Sequence, residues 1–431
     1  MHIAFVCLPA TGHVNPTLPV VAELVRRGHR VTYATSTKYA KAVESTGADF
    51  FRSGEDLSEF FPRRRPGDGG PGNGDGGDGG GGGATNGAGA SPMAGLFAGL
   101  GSGAMAGFLE RILDAARQDF PLLMDRLASD RPDALCYDAM TLSGKMAAAK
   151  LGVADVALLP TYASNEHFSM RDLMQSAPPP GVIAAWRQIG QLIHEFAAEQ
   201  GVGDLRFMGG PPASLNISFI PREFQPAGET FDARFQFVGP CLGQRGDDDA
   251  WQPRVEGSPL LFISLGTTPL NDQPDFFKKC LEAFADVPWQ VAMAIGERID
   301  GSELGEVPGN VEVRPFFPQL EVLSHASAFL SHTGMNSTME ALYYAVPLVA
   351  YPLQPEQEAN ARRVEDLGLG KRLPREGLTP ELIRETVISV SNDDGIRAKL
   401  DAMSERVRDS GGAPAAADAI EEFLAKQAEQ A

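Results

Sequence analysis

Short apolar runs, each bounded by glycine, proline or polar residues, recur along the chain and alternate with stretches of helical spacing. Runs of about four to eight residues rich in aliphatic and aromatic side chains are typical of buried strands in a parallel sheet. In the first half these runs are "HIAFVCLP" (2–9), "HRVTYATS" (29–36), "PDALCYDA" (132–139) and "ADVALLP" (154–160). Between the first two, apolar residues recur at helical spacing from Leu18 to Val25. The pattern predicts strand–helix–strand units that wind right-handed into a parallel sheet.

The start and the end of the first helix carry their own signals. Asn15 is a residue type that caps helices, and Pro16 suits the first helical position, where its missing N–H costs nothing. Arg26 and Arg27 followed by Gly28 are typical of a helix end. We therefore expect a helix that begins at Pro16, directly after the loop "ATGHVN" (10–15).

A second series of the same kind begins near residue 258. Its strand-like runs are "PLLFISLG" (259–266), "WQVAMAIG" (289–296), "NVEVRPF" (310–316), "ASAFLS" (326–331) and "PLVAYP" (347–352), with a helix expected over 275–284. The pattern predicts an α/β protein with domains at 1–238 and 258–413, a linker at 239–257 and a final helix at 414–431. Ligands of open parallel sheets bind beyond the carboxyl ends of the strands, so two such domains facing each other would form a cleft.

The segment 66–91 breaks the pattern, with 14 glycines in 26 positions. Such a segment cannot bury enough apolar surface to offset the entropy lost on ordering, so we expect a disordered surface loop inside the first domain. The letters "GLGSGA" (99–104) match a dinucleotide-binding fingerprint, but no strand precedes them. We expect a flexible tail of the same insert there.

Composition narrows the range of partners. The chain has 431 residues, 43% hydrophobic content and a formal net charge of -19. This is enough for two cores, but the charge has the wrong sign for nucleic acid or an anionic membrane surface. The first residues lack the features of a signal peptide, and no run approaches the roughly 18 apolar residues of a membrane span. We expect a cytoplasmic protein, monomeric or homodimeric, whose four cysteines are reduced core residues rather than bridges or zinc ligands.

The stretch "SHTGMNSTMEAL" (331–342) lies where a buried strand meets a helix. The first N–H groups of a helix are unpaired and carry partial positive charge, which makes them an anion site. Gly334 lets the backbone approach a ligand closely, and His332 can donate to a phosphate oxygen, so the stretch suits a diphosphate. Gly266 and Thr267, at another strand end, would supply a second wall. The alternative is that Ser337 and Thr338 only cap the helix.

The stretch "YPLQPEQEAN" (351–360) follows the next strand and places Glu356 and Gln357 beside this anion site. A carboxylate accepts hydrogen bonds and an amide both donates and accepts, so the pair suits neighbouring sugar hydroxyls. A solvated helix N-terminus, where glutamate is favoured anyway, explains the same residues equally well.

In the amino-terminal series, His13 lies in the loop after the first strand. Histidine titrates near neutrality, which suits a general base, and an imidazole that takes up a proton gains from a carboxylate behind it. Asp138, at the end of the strand "ALCYD", is the candidate for that carboxylate. Together they form the arrangement of a base and an orienting acid that recurs in catalysis.

Three stretches carry a resemblance to a known family. They are "ATGHVNPTLPVVAELVRRGHRVTYAT" (10–35), "FISLGTT" (262–268) and "FFPQLEVLSHASAFLSHTGMNSTMEALYYAVPLVAYPLQPEQEANARRVEDLGLG" (316–370). Together they resemble the GT-B glycosyltransferases of family 1, and among these the bacterial macrolide and natural-product enzymes. The third stretch is the most specific, because it follows the nucleotide-sugar signature shared with plant enzymes. The resemblance implies two Rossmann-like domains whose parallel sheets face a central cleft.

The resemblance also implies a role for each matching residue. His13 would deprotonate the acceptor hydroxyl, with Asp138 orienting and stabilising it. Phe316 stands where the signature usually has a tryptophan that stacks on the base. The donor would be held by Gly266, Thr267, His332, Gly334, Asn336 and Ser337 at the diphosphate, Gln319 and Glu340 at the nucleoside, and Glu356 and Gln357 at the sugar.

The implied reaction is a single displacement with inversion, in which a sugar passes from a nucleoside diphosphate to a hydroxyl group. UDP-glucose is expected ahead of a TDP-deoxysugar, because Glu356 and Gln357 would form hydrogen bonds with sugar hydroxyls. No cofactor or metal ion is expected, and the acidic run 247–249 in the linker is read as a solvated hinge rather than a metal motif. Two rivals stay open: a nucleotide-sugar epimerase of the same fold, and a non-catalytic homologue that binds nucleotide sugar.

The acceptor pocket of this family lies among loops of the amino-terminal domain. Phe97, Phe108, Phe168 and Met170 would suit a large apolar acceptor such as a macrolide or a polyphenol, and they suit ordinary packing equally well. Roles in antibiotic biosynthesis and in resistance fit this sequence equally.

Overall fold

The computed structural model describes residues 1–54, 102–173, 180–203, 212–243, 251–266 and 272–430. Its strands are β1 (His2–Val6), β2 (Arg30–Thr35), β3 (Asp49–Arg52), β4 (Ala134–Asp138), β5 (Ala154–Leu159), β6 (Leu215–Ser218), β7 (Phe235–Phe237), β8 (Leu260–Ser264), β9 (Gln290–Ala294), β10 (Val311–Arg314), β11 (Ala328–Ser331), β12 (Leu348–Ala350) and β13 (Gly370–Arg372). Its α-helices are α1 (Thr11–Val14), α2 (Leu18–Arg26), α3 (Ala40–Glu44), α4 (Ser102–Ser129), α5 (Leu142–Leu151), α6 (Pro180–Glu199), α7 (Pro274–Phe284), α8 (Gln319–His325), α9 (Met335–Tyr343), α10 (Pro355–Leu367), α11 (Pro380–Ser391), α12 (Asp394–Asp409) and α13 (Gly412–Gln430).

The strands form two separate sheets. The first has the order β3-β2-β1-β4-β5-β6-β7 and belongs to what we call the amino-terminal unit; the second has the order β10-β9-β8-β11-β12-β13 and belongs to the carboxy-terminal unit. Neighbouring strands pair in parallel in both sheets. The strand order reverses between β1 and β4 and between β8 and β11, which is where such sheets open a crevice for ligands. The expected α/β architecture of two parallel sheets is confirmed.

Every residue of β1, β4, β8 and β11 is buried. Strands covered by helices on both faces carry apolar residues continuously rather than alternately, which explains why these strands could be read from the sequence. Each of these four strands ends at or just before a predicted site residue. His13 follows β1, Asp138 ends β4, Gly266 follows β8, and His332 follows β11.

The predicted start of the first helix is wrong. Residues 11–14 already form the short helix α1, and Asn15 has helical dihedrals (φ -53°, ψ -46°) rather than the extended ones of a capping residue. A turn follows, in which both the backbone N–H and the hydroxyl of Thr17 donate to the Val14 carbonyl, at 3.0 and 2.8 Å. The main helix α2 therefore begins at Leu18, and it ends as predicted before Gly28 with φ +89°.

The expectation of a flexible tail at 99–104 is also wrong where the structure describes it. Helix α4 begins at Ser102 and continues to Ser129, with Pro121 inside it. Residues 99–101 and the glycine-rich segment 66–91 lie outside the described residues. Apolar side chains such as Leu113 and Phe120 pack α4 against the amino-terminal sheet. This packing stabilises the helix even though the glycine-rich sequence of its first turn favours helix only weakly.

The last helix, α13, returns to the amino-terminal unit. Its buried residues Ala416, Ala417, Ile420 and Leu424 belong to the same core cluster as β1 and α2. At its solvent side, Arg27 Nη1 lies 2.6 Å from the Asp418 carboxylate, and His29 Nε2 lies 2.6 Å from that of Glu421. The final helix thus completes a core whose first strand begins the chain.

Two further expectations concern the cysteines and the membrane. Cys7, Cys136, Cys241 and Cys280 are buried and unbridged, as predicted. Over the described ranges, none of the helices combines the length and the apolar character needed to span a bilayer.

Candidate active site

His13 and Asp138 meet at the point where the first sheet reverses its strand order. The imidazole Nδ1 lies 2.6 Å from Oδ2 of Asp138, and the other carboxylate oxygen accepts from the Met140 backbone N–H at 2.8 Å. Asp138 is buried, whereas 24% of the His13 side chain is exposed. The carboxylate is therefore fixed from behind, and Nε2 is the ring nitrogen of His13 that remains for a substrate.

The surroundings of His13 act on its pKa in opposite directions. Burial lowers the pKa, but the charge and the hydrogen bond of Asp138 raise it, and the charge of Glu356 raises it further, so that the net pKa lies above the ordinary value of 6.5. The imidazole is thus placed between two carboxylates that favour its protonated form. This is the environment that a general base requires in order to hold a proton taken from a substrate.

Two tyrosine hydroxyls anchor the short helix that carries His13. The Tyr39 hydroxyl lies 3.1 Å from the Thr11 hydroxyl at the start of α1. The Tyr33 hydroxyl lies 2.6 Å from the Thr17 hydroxyl, which itself donates to the Val14 carbonyl at the end of α1. A helix of four residues has little stability of its own, so these bonds fix its position on the sheet.

The predicted anion site is the turn between β11 and α9. His332 is buried there, and burial lowers its pKa to about 4, so the imidazole is neutral at physiological pH. Two glycines enclose the ring: an added Cβ would lie 2.5 Å from Nε2 at Gly334 and 2.6 Å from Cε1 at Gly266. The backbone N–H groups of the first turn of α9 begin directly after this ring. This arrangement offers hydrogen-bond donors to an anion without a competing charge.

Ser337 and Thr338 do not serve as caps of α9, so that alternative is wrong. The N-cap residue is Gly334, and no side chain caps it. The Ser337 hydroxyl accepts from Gln319 Nε2 at 3.2 Å, and the Thr338 hydroxyl donates back to the Gly334 carbonyl at 3.1 Å.

Residue Thr333 within this turn has an unusual backbone. Its φ of +58° is left-handed, a conformation that a β-branched residue rarely adopts. Hydrogen bonds on both sides of the residue hold it. Its N–H donates to the Ser331 hydroxyl, and its carbonyl accepts from Asn360 Nδ2 at 2.9 Å. Its own hydroxyl is shared between the His332 carbonyl at 2.6 Å and the Gln357 carbonyl at 3.0 Å. The turn is thus imposed by its surroundings, chiefly by α10.

Glu356 and Gln357 lie in the first turn of α10, beside this turn, and they differ in the hydrogen bonds that their side chains already form. One oxygen of Glu356 accepts from Asn360 at 2.7 Å and from the Thr161 hydroxyl at 3.4 Å. The pKa of Glu356 is raised by burial, against the opposing effects of Asn360, the charge of His13 and Thr161. Gln357 is buried, and its side-chain oxygen accepts the backbone N–H groups of Leu353 and Gln354, forming a capping box.

The capping box changes two expectations about this pair. The reading of Gln357 as a solvated helix end is wrong, because the side chain is buried. The expectation that its amide both donates and accepts toward a sugar is also wrong, because its oxygen is committed to the helix cap. Only its amino group is left to meet a ligand.

The remaining predicted donor residues lie on α8 and α9 or just before them. Gln319 Nε2 donates to Oε2 of the buried Glu340 at 2.5 Å, which joins the two proposed nucleoside residues. Phe316, the proposed stacking residue, is 50% exposed, an unusual position for a large apolar side chain and one that leaves its ring open to a planar ligand. Thr267 lies outside the described residues.

Several polar contacts join the two units along the cleft. Asn336 Nδ2, at the start of α9, donates to the Gly12 carbonyl of α1 at 2.9 Å. Thr161 donates to Glu356, as noted above. The Arg363 guanidinium donates to the carbonyls of Phe224 and Glu223 at 2.9 and 2.8 Å. The loop of His13 and the anion turn therefore lie on facing walls of one cleft.

The positions of the predicted acceptor residues do not distinguish acceptor binding from ordinary packing. Phe168 is buried, with its ring 6.4 Å edge-on from that of Tyr162, so packing accounts for its position. Phe108 and Met170 lie on described backbone, and Phe97 lies outside the described residues, as does the acidic run 247–249. No group of three or more potential metal ligands occurs within the part of the chain that the structure covers. The acceptor roles stay predictions.

Sequence reasoning missed Asn360 and Thr161. Both contact Glu356, and Asn360 also contacts the anion turn. A signal for Asn360 was present, because it lies four residues after Glu356 on one helix, a spacing that places two side chains on the same face. Thr161 had no such signal, since its contact depends on how the two units dock.

Two parallel α/β units that face each other across a cleft, with the His13–Asp138 pair on one wall and the anion turn on the other, have the architecture of a GT-B glycosyltransferase. Residues 278–423 match the family described as erythromycin biosynthesis protein CIII-like, C-terminal domain. The chain is 38% identical to the NDP-glycosyltransferase YjiC of Bacillus licheniformis, over 98% of each chain. It is 35% identical to the demethyllactenocin mycarosyltransferase of Streptomyces fradiae, over 99% of this chain and 87% of that one.

Solved structures agree with these relatives. The calicheamicin glycosyltransferase CalG4 matches with a TM-score of 0.79 at 32% identity, covering 99% of each chain. The chain therefore belongs to the bacterial natural-product glycosyltransferases of the GT-B fold, and the resemblance given above is confirmed.

Proposed function

We propose that this enzyme transfers a sugar, glucose in the first instance, from a nucleoside diphosphate to a hydroxyl group of a hydrophobic natural product, with inversion at the anomeric carbon. The observation that carries the proposal is the 2.6 Å contact between His13 Nδ1 and the buried Asp138, placed opposite the anion turn. The names of the relatives support it, since they include an NDP-glycosyltransferase and a macrolide mycarosyltransferase.

The proposed reaction is a single displacement. The acceptor oxygen attacks the anomeric carbon while the bond from that carbon to the diphosphate oxygen breaks, and the acceptor proton passes to Nε2 of His13. Asp138 stabilises the imidazolium that forms, because its carboxylate already binds Nδ1. The start of α9 and neutral His332 stabilise the charge that develops on the departing diphosphate. Helix N–H groups and a histidine donor supply this stabilisation, so the scheme requires no metal ion.

Donor recognition follows from the remaining contacts. The second carboxylate oxygen of Glu356 and the amino group of Gln357 would bind the hydroxyls of the sugar, which favours UDP-glucose over a deoxysugar donor. Phe316 would stack on the base, and Glu340 would accept from the ribose hydroxyls. The donor nucleotide is a substrate in this scheme, and no further cofactor is invoked.

The first test is to incubate the enzyme with UDP-glucose and with TDP-sugars against a panel of phenolic and macrolide acceptors, and to identify products by mass spectrometry. We expect a β-glycoside from an α-linked donor, assigned by the anomeric proton coupling in NMR. His13→Ala should lower the transfer rate by about 10²–10⁴-fold, since it removes the general base. His194→Ala on the surface of α6 is the matched control and should keep the full rate.

Three results would contradict the proposal. Donor consumption that does not depend on an acceptor would indicate an epimerase. Full transfer by His13→Ala would remove His13 as the base, and an α-glycoside would exclude inversion.

A further inference from the structure

Asn360 connects two parts of the donor site that the sequence treats separately. It is fully buried on α10, and its side-chain amino group donates to Glu356 Oε1 at 2.7 Å and to the Thr333 carbonyl at 2.9 Å. Glu356 is the proposed sugar ligand, and Thr333 is the strained residue just before the N-terminus of α9. One side chain therefore touches both the sugar wall and the anion turn.

We propose that Asn360 is a positioning residue that holds the Glu356 carboxylate and the anion turn at a fixed spacing, so that the sugar and the diphosphate of one donor are bound together. This inference deepens the proposed function and rests on it. Asn360 itself is not expected to contact the donor.

The chemistry of the amide explains why asparagine is needed. A primary amide has two N–H donors on one nitrogen, and here each donor has its own acceptor. Both partners, a carboxylate and a carbonyl, only accept hydrogen bonds. The Asn360 Oδ1 atom has no hydrogen-bond partner among the described residues, so the amino group alone fixes the side chain. Serine could satisfy one partner, and leucine could satisfy neither.

The hydrogen bond from Asn360 to the Thr333 carbonyl matters because the backbone of Thr333 is strained. A left-handed β-branched residue reverts to an ordinary conformation unless its surroundings prevent this. Two of its hydrogen-bond partners lie on α10, namely the Gln357 carbonyl and the Asn360 amide. The Thr333 hydroxyl is shared between Gln357 and the nearer His332 carbonyl, so the Asn360 amide is the unshared bond from α10. Loss of the amide would release the Thr333 carbonyl and would free Glu356 at the same time. The diphosphate and the sugar would then both be held less firmly.

The experiment measures the affinity of the full-length enzyme for UDP and for UDP-glucose by calorimetry, with dTDP and dTDP-glucose in parallel. Asn360→Leu should weaken the binding of both the free nucleotide and the nucleotide sugar, each by roughly tenfold. Glu356→Gln should weaken the nucleotide sugar alone. Asn360→Ser, which keeps one donor, should give values between those of Asn360→Leu and the unaltered enzyme, and it serves if the leucine variant does not fold.

The matched control is Asn310→Leu. The Asn310 amide also donates to two acceptors, the carbonyls of Phe284 and Trp289 at 2.9 and 2.8 Å, but at the opposite end of the second sheet. It should leave both affinities unchanged.

Each adverse result has a distinct meaning. Unchanged UDP affinity in Asn360→Leu and Asn360→Ser would overturn the positioning role, and so would an equal loss in Asn310→Leu. Failure of the unaltered enzyme to bind either nucleotide would overturn the proposed function, and this inference with it.

Discussion

The His13 imidazole is flanked by two carboxylates that act on it in different ways. Asp138 binds Nδ1 directly, whereas Glu356 acts through its charge across the cleft. A general base works when it is neutral, so activity falls as the pH drops through its pKa. Because the net pKa of His13 is raised, the acid limb of the rate profile should lie above the value for a free histidine.

Asp138→Asn tests this arrangement. The substitution removes the largest raising influence on the pKa of His13, so the acid limb of kcat/KM should move to lower pH. The rate on the plateau should also fall, by about 10²–10⁴-fold, because the imidazolium is no longer stabilised. Steady-state rates between pH 4 and 9, at saturating acceptor, would measure both effects.

The control for this variant is Asp232→Asn, an exposed carboxylate paired with Arg234 in the same unit. It should reproduce the profile of the unaltered enzyme. An acid limb that stays in place in Asp138→Asn would show that Asp138 does not set the pKa of the base.

The interaction of His13 with Asp138 also makes the stability of the folded state depend on pH. A histidine whose folded-state pKa is raised contributes stability in full below its unfolded pKa of about 6.5, and loses that contribution as the pH rises through the raised value. The ion pair of His13 and Asp138 thus favours the folded state on the acid side, where the proposed mechanism predicts the lowest rate.

At the scale of elements, the turn from β11 into α9 depends on small residues around His332. Gly334→Ala would place a methyl group 2.5 Å from Nε2 of the buried His332 ring, whose Cε1 already lies against Gly266. The ring should tilt away from the α9 N-terminus, and UDP should bind about tenfold more weakly by calorimetry. Gly309→Ala, where the added atom meets nothing within 4 Å, is the control. Equal affinities in the two variants would show that the ring tolerates the change.

The strands that could be read from the sequence share one property. Their apolar runs are mostly continuous, because helices cover both faces of each sheet; β10 is the exception, since its sequence VEVR alternates apolar and charged residues. The missed strands β3, β6, β7 and β13 are three or four residues long and contain polar or charged residues, as in "DFFR" and "GKR". Their extended conformation depends on pairing with a neighbouring strand, which a local pattern does not record.

In the site too, some features could be read from neighbouring residues, whereas others depend on contacts between residues distant in sequence. The pairing of His13 with Asp138 could be predicted because both residues follow adjacent strands of one sheet. The start of α2 could not, because the turn at Thr17 depends on its bond to Tyr33 on β2. The capping box of Gln357 could not be recognised from its letters, because the N-cap residue is Gln354 and not the serine or threonine of the known motif.

At the scale of the whole molecule, the last helix belongs to the core of the first unit. Ile420 on α13 is fully buried among residues of β1 and α2. Ile420→Ala should lower the free energy of unfolding by about 2–5 kcal/mol, through lost burial and the cavity left behind. Thermal and urea unfolding would measure the loss.

Glu422→Ala, on the exposed side of the same helix, controls for helix propensity and should change stability little. If Ile420→Ala left the unfolding transition in place, α13 would have to be a surface attachment rather than part of the core.

Two of the side chains that bond across the cleft share a feature with a broader consequence. Asn336 and Arg363 of the carboxy-terminal unit both bind peptide oxygens of the other unit, at Gly12, Glu223 and Phe224. Peptide oxygens are present whatever side chain a position carries, so docking of this kind depends on the path of the chain and not on its letters. A substitution at Gly12, Glu223 or Phe224 that keeps the path of the chain can therefore leave these hydrogen bonds in place. At these points the amino-terminal unit can diverge in sequence while the bonds to Asn336 and Arg363 persist.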